Sequence, residues 1–351
     1  MHIPDGYLGP GTCAALFGGA APFWYIALRK MKRAMHTRMI PLLSLFSAFS
    51  FIVMMFNLPL PGGTTGHAVG VGIAAIVLGP WASILAISIA LVIQAIFFGD
   101  GGITAIGANC FNMAVVGSLT AYAVYRMVAG RTPVGSSRRV FAAGAAGYVA
   151  INLSALIAAI EFGVQPALYH DASGAPLYAP YPLHIAIPAM MIGHLTIAGL
   201  AEMVICSGVV AYLQRAEPSL LQLTAPGAPG TTPGRNHALR PLWVALAVLM
   251  VLTPLGILAA GSAWGEWSPR DFTEGSARQQ IAAASQNQSP PAAAPQGLQR
   301  LSSFWTAPMP RYAPPFLRSA SFGYLLSAMS GTGLIILLFA LAGWVSDRQA
   351  G

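Results

Sequence analysis

A Met1-His2 terminus leading into Ile3-Pro4-Asp5-Gly6 offers three nitrogens that can reach one metal ion. The terminal amine, the His2 amide and the His2 imidazole close a five-membered and then a six-membered chelate ring. Three coplanar nitrogens with one open corner suit Ni(II) or Cu(II), whereas zinc prefers a tetrahedron. A single histidine from elsewhere would complete the square. Pro4 has no N–H to compete as a ligand, and it biases Ile3 toward extended backbone. Met-His can also be an ordinary chain start followed by a chance histidine, so the rest of the sequence has to decide.

The strongest source of a fourth nitrogen is His67, at the end of Gly62-Gly63-Thr64-Thr65-Gly66. Glycines admit positive φ and close backbone approach, which suits a loop folding back into a helical bundle. A glycine-rich turn ending in an incidental histidine is the competing account. His36 and His237 stand in basic stretches and read as solvated, while His170 and His184 border an acidic loop that could form an entry path. His194 and Glu202 fall about two turns apart on roughly one face of an apolar helix. Such a buried polar pair can be functional, although a structural hydrogen bond explains it as well. Asn109 and Asn112 follow the loop Gly99-Asp100-Gly101-Gly102. Carboxamides are poor nickel ligands, so these two, with Asp5 and Asp100, are expected to support the ligands or hold the loops. For Asn109, simple helix capping is the alternative.

The elements that must position these groups are membrane helices. The chain has 351 residues, 56% hydrophobic and 8% charged, with mean hydropathy +0.64. That is too much apolar surface for a soluble protein of this size to hide, so an all-α polytopic membrane bundle is expected. Apolar stretches fall near 11–28, 40–57, 68–79, 81–98, 109–128, 139–162, 185–213, 241–260 and 319–345. Gly79-Pro80 breaks the short third helix from the fourth. Arg29, Lys30, Lys32, Arg33 and Arg38 crowd one loop, and Arg126, Arg131, Arg138 and Arg139 another. The positive-inside rule puts both in the cytoplasm, with Arg215, Arg235, Arg240 and Arg348. The N-terminus is then outside and the C-terminus inside. Asp5, Asp100, Glu161, Asp171, Glu266, Asp271 and Glu274 fall on or near the outer side, where they could attract cations or simply be solvated. No cleavable leader is visible, and the bulky His2 favours retention of Met1.

Three domains are expected: a membrane body over 1–215, a flexible linker over 216–240 marked by the Pro/Gly-rich run 224–236, and a two-helix tail over 241–345. The tail's loop, 261–318, is rich in Ala, Gln, Ser and Pro over 276–297, which predicts poor order there. Cys13, Cys110 and Cys206 are far apart without metal-ligand spacing and read as packing residues. There is no H-E-x-x-H, and no Gly-Lys dipeptide exists, so a zinc protease and a Walker phosphate loop are both excluded. Nothing suggests nucleic acid or an organic cofactor.

Met1 to Leu8, the 62–72 stretch through His67, and Phe97-Phe98-Gly99-Asp100-Gly101-Gly102-Ile103-Thr104 with Gly107-Ala108-Asn109 resemble the CbiM/NikM family. Its members are substrate-binding (S component) membrane subunits of energy-coupling-factor transporters for nickel and cobalt. The resemblance covers about 1–215 and implies a seven-helix fold, with Met1, His2 and His67 supplying four nitrogens to Ni(II) or Co(II). It implies partners too: a transmembrane coupling (T) protein and paired cytoplasmic ABC-type ATPases, within the bacterial inner membrane and its lipid. ATP hydrolysis would belong to those partners, so the chain is expected to be a transport subunit and not an enzyme. The tail resembles the NikN/CbiN-type accessory subunit, here fused. Related tails carry Pro-Asp-Gly-Leu-Glu where this chain has Ala263-Trp264-Gly265-Glu266-Trp267, a departure that puts any role of that motif in question. Fusion to an accessory part favours nickel over cobalt. A membrane metal sensor or storage protein would bind the ion without moving it.

Overall fold

Long apolar runs with few charges leave the backbone no partner but itself in lipid, and the chain answers with helices. The structure, a computed structural model, describes residues 1–32, 39–61, 63–224, 239–259 and 261–350. Arg33, His36, Arg38, Gly62, Arg235, His237 and nearly all of the Pro/Gly-rich run lie outside the described residues.

The body comprises α1 (Pro10–Lys32), α2 (Met39–Met54), α3 (Val71–Leu78), α4 (Pro80–Phe98), α5 (106–129), α6 (Ser137–Leu168) and α7 (Leu183–Ala216). The tail adds α8 (Arg240–Leu258), two short helices α9 (Gly275–Ala284) and α10 (Gln296–Leu301), and α11 (Ala320–Ala350). Among the described residues six helices are long and apolar enough to cross a membrane, and Met39–Met54 is a shorter apolar one. The chain is therefore a multi-pass, all-α membrane protein.

α3 is buried along all eight of its residues and packs against α4, α5, α6 and α7. Gly79 at φ 79° ends it and Pro80 opens α4, the residue order in which a missing N–H and a fixed φ cost least. Between α2 and α3 the chain folds into a hairpin, Leu58–Leu60 paired antiparallel with Thr64–Gly66, which carries His67 inward. The N-terminal N–H groups of α3 would be orphaned there. Glu202 of α7 accepts them instead, at 2.8 Å from Val69 N, 2.9 Å from Gly70 N and 3.3 Å from Gly72 N. An anion at a helix N-terminus also meets the favourable end of the helix dipole. His194 is engaged elsewhere, its Nδ1 2.8 Å from the Met190 carbonyl. The expected His194–Glu202 pairing is thus replaced by separate backbone bonds, three at Glu202 and one at His194.

Wide π-type turns interrupt α4 at Gln94–Phe98 and α5 at Cys110–Val116, on either side of the 99–105 loop. A π-turn shifts the helical register and frequently marks a functional position. The tail wraps this same end of the bundle. α8 and α11 lie against α2, and Trp264, Trp267 and Phe272 pack edge-on in a cluster that reaches Tyr7, Phe162 and Tyr181 of the body. The 276–297 stretch is ordered, against expectation. It forms α9, and the Arg278 guanidinium donates to the carbonyls of Phe272, Pro290 and Pro291, closing a loop that has little apolar core of its own.

Candidate metal centre

Met1 and His2 are almost completely enclosed, at 3% and 1% exposure. The extended backbone that Pro4 favours lets Ile3 pair like a strand. Its N–H donates to Asn109 Oδ1 (2.8 Å), and its carbonyl accepts from Asn109 Nδ2 (3.1 Å) and from Gly102 N (2.8 Å). Gly102 is obligatory, because a Cβ there would stand 2.3 Å from the Asp5 nitrogen. Asp5 holds the other side of the loop, accepting from Ile103 N (3.1 Å), Thr104 N (2.8 Å) and Thr104 Oγ1 (2.5 Å). Gly6, at φ +85°, leaves room for the tail, since a Cβ would meet Gly297 O at 2.5 Å. Capping does not explain Asn109; the residue acts as a two-pronged clamp on the terminus.

His67 meets His2 from the opposite side, with ring centroids 4.9 Å apart and planes inclined by 47°. His67 Nδ1 lies 3.0 Å from the Ala68 carbonyl, which makes it the donor and leaves Nε2 with a free lone pair. Burial, reinforced by the nearby charges of His2 and the terminal amine, lowers His67 to about 3. These surroundings favour the neutral ring, in which Nε2 keeps its lone pair.

His2 Nδ1 contacts Asp100 Oδ1, whereas His2 Nε2 is buried without a partner. The six-membered chelate needs Nδ1. Turning the ring about Cβ–Cγ would free that nitrogen and put Nε2 on the edge facing Asp100. Burial opposes ionisation of Asp100. The His2 charge and hydrogen bond, His67 and the Tyr312 hydroxyl outweigh it and hold the carboxyl well below the usual carboxylate range. Tyr312, buried beside that carboxylate, is pushed well above the ordinary tyrosine range and stays a donor, 2.5 Å from Asp100 Oδ2. Gln94 donates to both, at 2.9 Å to Tyr312 and 3.4 Å to Asp100.

Two of these partners come from the tail. Besides Tyr312, Glu266 Oε1 sits 3.2 Å from the terminal amine. The sequence offered Glu266 as an outer charge and as a member of the altered Ala263–Trp267 motif, without a role, and did not single out Tyr312 or Gln94. Glu266 follows the glycine of the altered motif, and that placement was the one available hint. A cavity of about 750 Å³ between body and tail is lined by His67, Asp100, Glu266, Arg270 and Tyr312.

The remaining candidates lie apart. Asn112 bonds Glu161 (2.7 Å) deeper in the bundle and does not join the terminus. His170 and His184 are exposed and do not line the cavity. The three cysteines are free, two of them buried. Among the described residues no group of three or more His, Cys, Asp or Glu side chains is arranged to hold a metal ion. A planar site here would draw on main-chain nitrogen as well as imidazole.

The family model for a cobalt uptake substrate-specific transmembrane region, CbiM, matches residues 2–220, and that for a PDGLE domain matches residues 240–348. The chain is 55% identical to the fused nickel transport protein NikMN of Rhodobacter capsulatus, over 100% of both chains. It is 43% identical to a probable fused nickel transport protein LarMN of Lactiplantibacillus plantarum, over 96% of each. The crystal structure of a transition metal transporter aligns at TM-score 0.58 and 47% identity, covering 64% of this chain and 98% of that one.

Proposed function

Since the chain belongs to the CbiM family of cobalt uptake substrate-specific transmembrane regions, we propose that it is the substrate-binding membrane subunit of an ATP-driven nickel importer of the energy-coupling-factor type. The observation that carries the reading is the enclosed meeting of the terminal amine, His2 and His67, two of whose rings stand 4.9 Å apart. The nickel names of the two full-length relatives favour Ni(II). The cobalt name of the family model keeps a cobalt permease as the second reading.

Metal reaches the outer face and displaces protons from the amine, the His2 amide and the His2 ring. His2 turns Nδ1 inward, and His67 Nε2 closes the square. Asp100 orients His2 in the manner of a carboxylate behind a histidine ligand, and Asn109, Gly102 and Asp5 fix the chain between them. Release inward requires the square to break. The hairpin bearing His67 is the mobile partner in this scheme, with Glu202 as its anchor. A transmembrane coupling protein and cytoplasmic ATPases drive that step. The body over 1–215 binds metal, the tail over 241–345 is the accessory part, and the linker over 216–240 joins them. The N-terminus faces outward and the C-terminus the cytoplasm of an inner membrane.

The test is Ni(II) and Co(II) binding by the purified, untagged protein beside a version with one alanine added before Met1. The added residue keeps every side chain but displaces the amine from an enclosed position. Tight binding should disappear, and the metal preference of the unextended protein decides nickel against cobalt. Equal binding by both versions would refute the terminal chelate.

A further inference from the structure

An apolar cleft of about 320 Å³ opens at the other end of the molecule, between the first half of α2, the last turns of α7 and the start of α8. Leu45, Phe46, Val209, Tyr212, Leu242 and Leu249 line it, with Gly208. The cleft lies where the tail's first helix meets the body, between α7 and α8, both long and apolar enough to cross a membrane, and the shorter apolar α2. Hydrocarbon is the solvent such helices meet, and an acyl chain lying along these apolar walls would gain dispersion contacts with them.

The rim is basic. Arg240 immediately precedes the cleft residue Pro241, and Arg215 is three residues beyond Tyr212, on the same helical face. Both are exposed, and among the described residues neither guanidinium has an ion-pair partner. The neighbouring acid, Glu217, is engaged by the Ser219 hydroxyl. An apolar slot whose lining segments lead directly into two exposed arginines is complementary to an anionic phospholipid. Guanidinium presents a fork of donors that matches phosphate oxygens.

We propose that this cleft is a binding site for an anionic phospholipid, its acyl chain in the slot between α2, α7 and α8 and its phosphate on Arg215 and Arg240. The lipid then acts as a wedge that seats the tail on the body.

Gly208 makes the site testable without disturbing the fold, because a Cβ there meets nothing within 4 Å. Replacing an interior helical glycine also favours the helix. Lipid retention by the purified full chain would be measured by native mass spectrometry, with phosphatidylglycerol and phosphatidylcholine of identical acyl chains. Each arginine near a headgroup contributes about a fivefold preference, so roughly 25-fold in favour of phosphatidylglycerol is expected. R215Q/R240Q should abolish that preference while phosphatidylcholine retention stays unchanged. G208L should lower retention of both lipids, with nickel binding at the far end kept as the fold control. Equal retention of the two lipids by the unaltered chain overturns the headgroup assignment, and unchanged retention by G208L overturns the slot. A cysteine at 208 that cross-links to a helix of another membrane protein would assign the cleft to that partner instead.

Discussion

Asn109→Ala tests most directly whether the terminus is a built ligand. The Ile3 N–H has Asn109 Oδ1 as its partner at 2.8 Å, so the substitution leaves a buried donor unpaired, at a cost of about 1–3 kcal/mol. The Ile3 carbonyl keeps Gly102 N at 2.8 Å and loses only the 3.1 Å bond from Asn109 Nδ2, about 0.5–1.5 kcal/mol. Together these remove about 2–4 kcal/mol of ordering at the residue next to the proposed chelate. If the cost falls on the metal-competent conformation, nickel affinity drops about 30- to 1,000-fold. Competition titration of the purified, untagged full chain against a nickel chelator reads this directly. The comparison variant is Asn112→Ala, one turn along the same helix. It strands Glu161 and should lower the melting temperature, yet leave nickel affinity within about threefold, because Asn112 makes no contact with the terminus. Asn109→Ala binding as tightly as the parent, at an unchanged melting temperature, would show that the clamp does not organise a metal site.

Acidification should weaken nickel capture, since protons compete for the amine, the amide and His2. His67, lowered to about 3, keeps only the Nδ1 proton that it donates to Ala68 and has none on Nε2 to displace, so calorimetry in buffers of different ionisation enthalpy should find no proton released from it between pH 5 and 8. A larger proton release, requiring His67 as a source, would contradict this. Glu202→Gln weakens three backbone bonds at the start of α3 and is expected to destabilise the chain by about 2–4 kcal/mol and loosen His67; an unchanged melting temperature and affinity would deny the anchor. Deleting 241–351 removes Glu266 and Tyr312 but none of Met1, His2 and His67. Nickel binding should persist while uptake by reconstituted transporter is lost, and normal uptake would exclude an essential tail.

Local and distant information separate clearly in this chain. Apolar run length was enough to place the long helices, because lipid leaves few alternatives to them. The Met1-His2 terminus and His67 could be nominated from bond chemistry, since ring sizes and donor types are properties of the residues themselves. Their convergence depends on a hairpin and a π-interrupted helix pair, which no periodicity of the sequence announces. Asn109 and Asn112 looked equivalent three residues apart. The wide turn that begins at Cys110 separates them, turning one to the terminus and the other to Glu161. Arg278 hides its effect in the same way, because a composition reading counts its charge and cannot see three carbonyls gathered around it.

Glu266 and Tyr312 are more than 200 residues from the groups they touch, as the separations of 265 and 212 show. They reach opposite sides of the same centre, the amine and the carboxylate behind His2. The tail consequently touches both groups that the proposed chelate would rearrange: the terminal amine through Glu266, and the carboxylate behind His2 through Tyr312. Any motion of the tail that draws Glu266 and Tyr312 away removes a competing partner from the amine and a donor from Asp100 together. Under the proposed chelation the body alone keeps every ligand, and the tail's two contacts would set when those ligands are released to bind. The fused tail is mechanically placed to set when the terminus is free to bind, which gives covalent fusion a physical advantage: the two contacts stay at high effective concentration whatever the fate of other subunits.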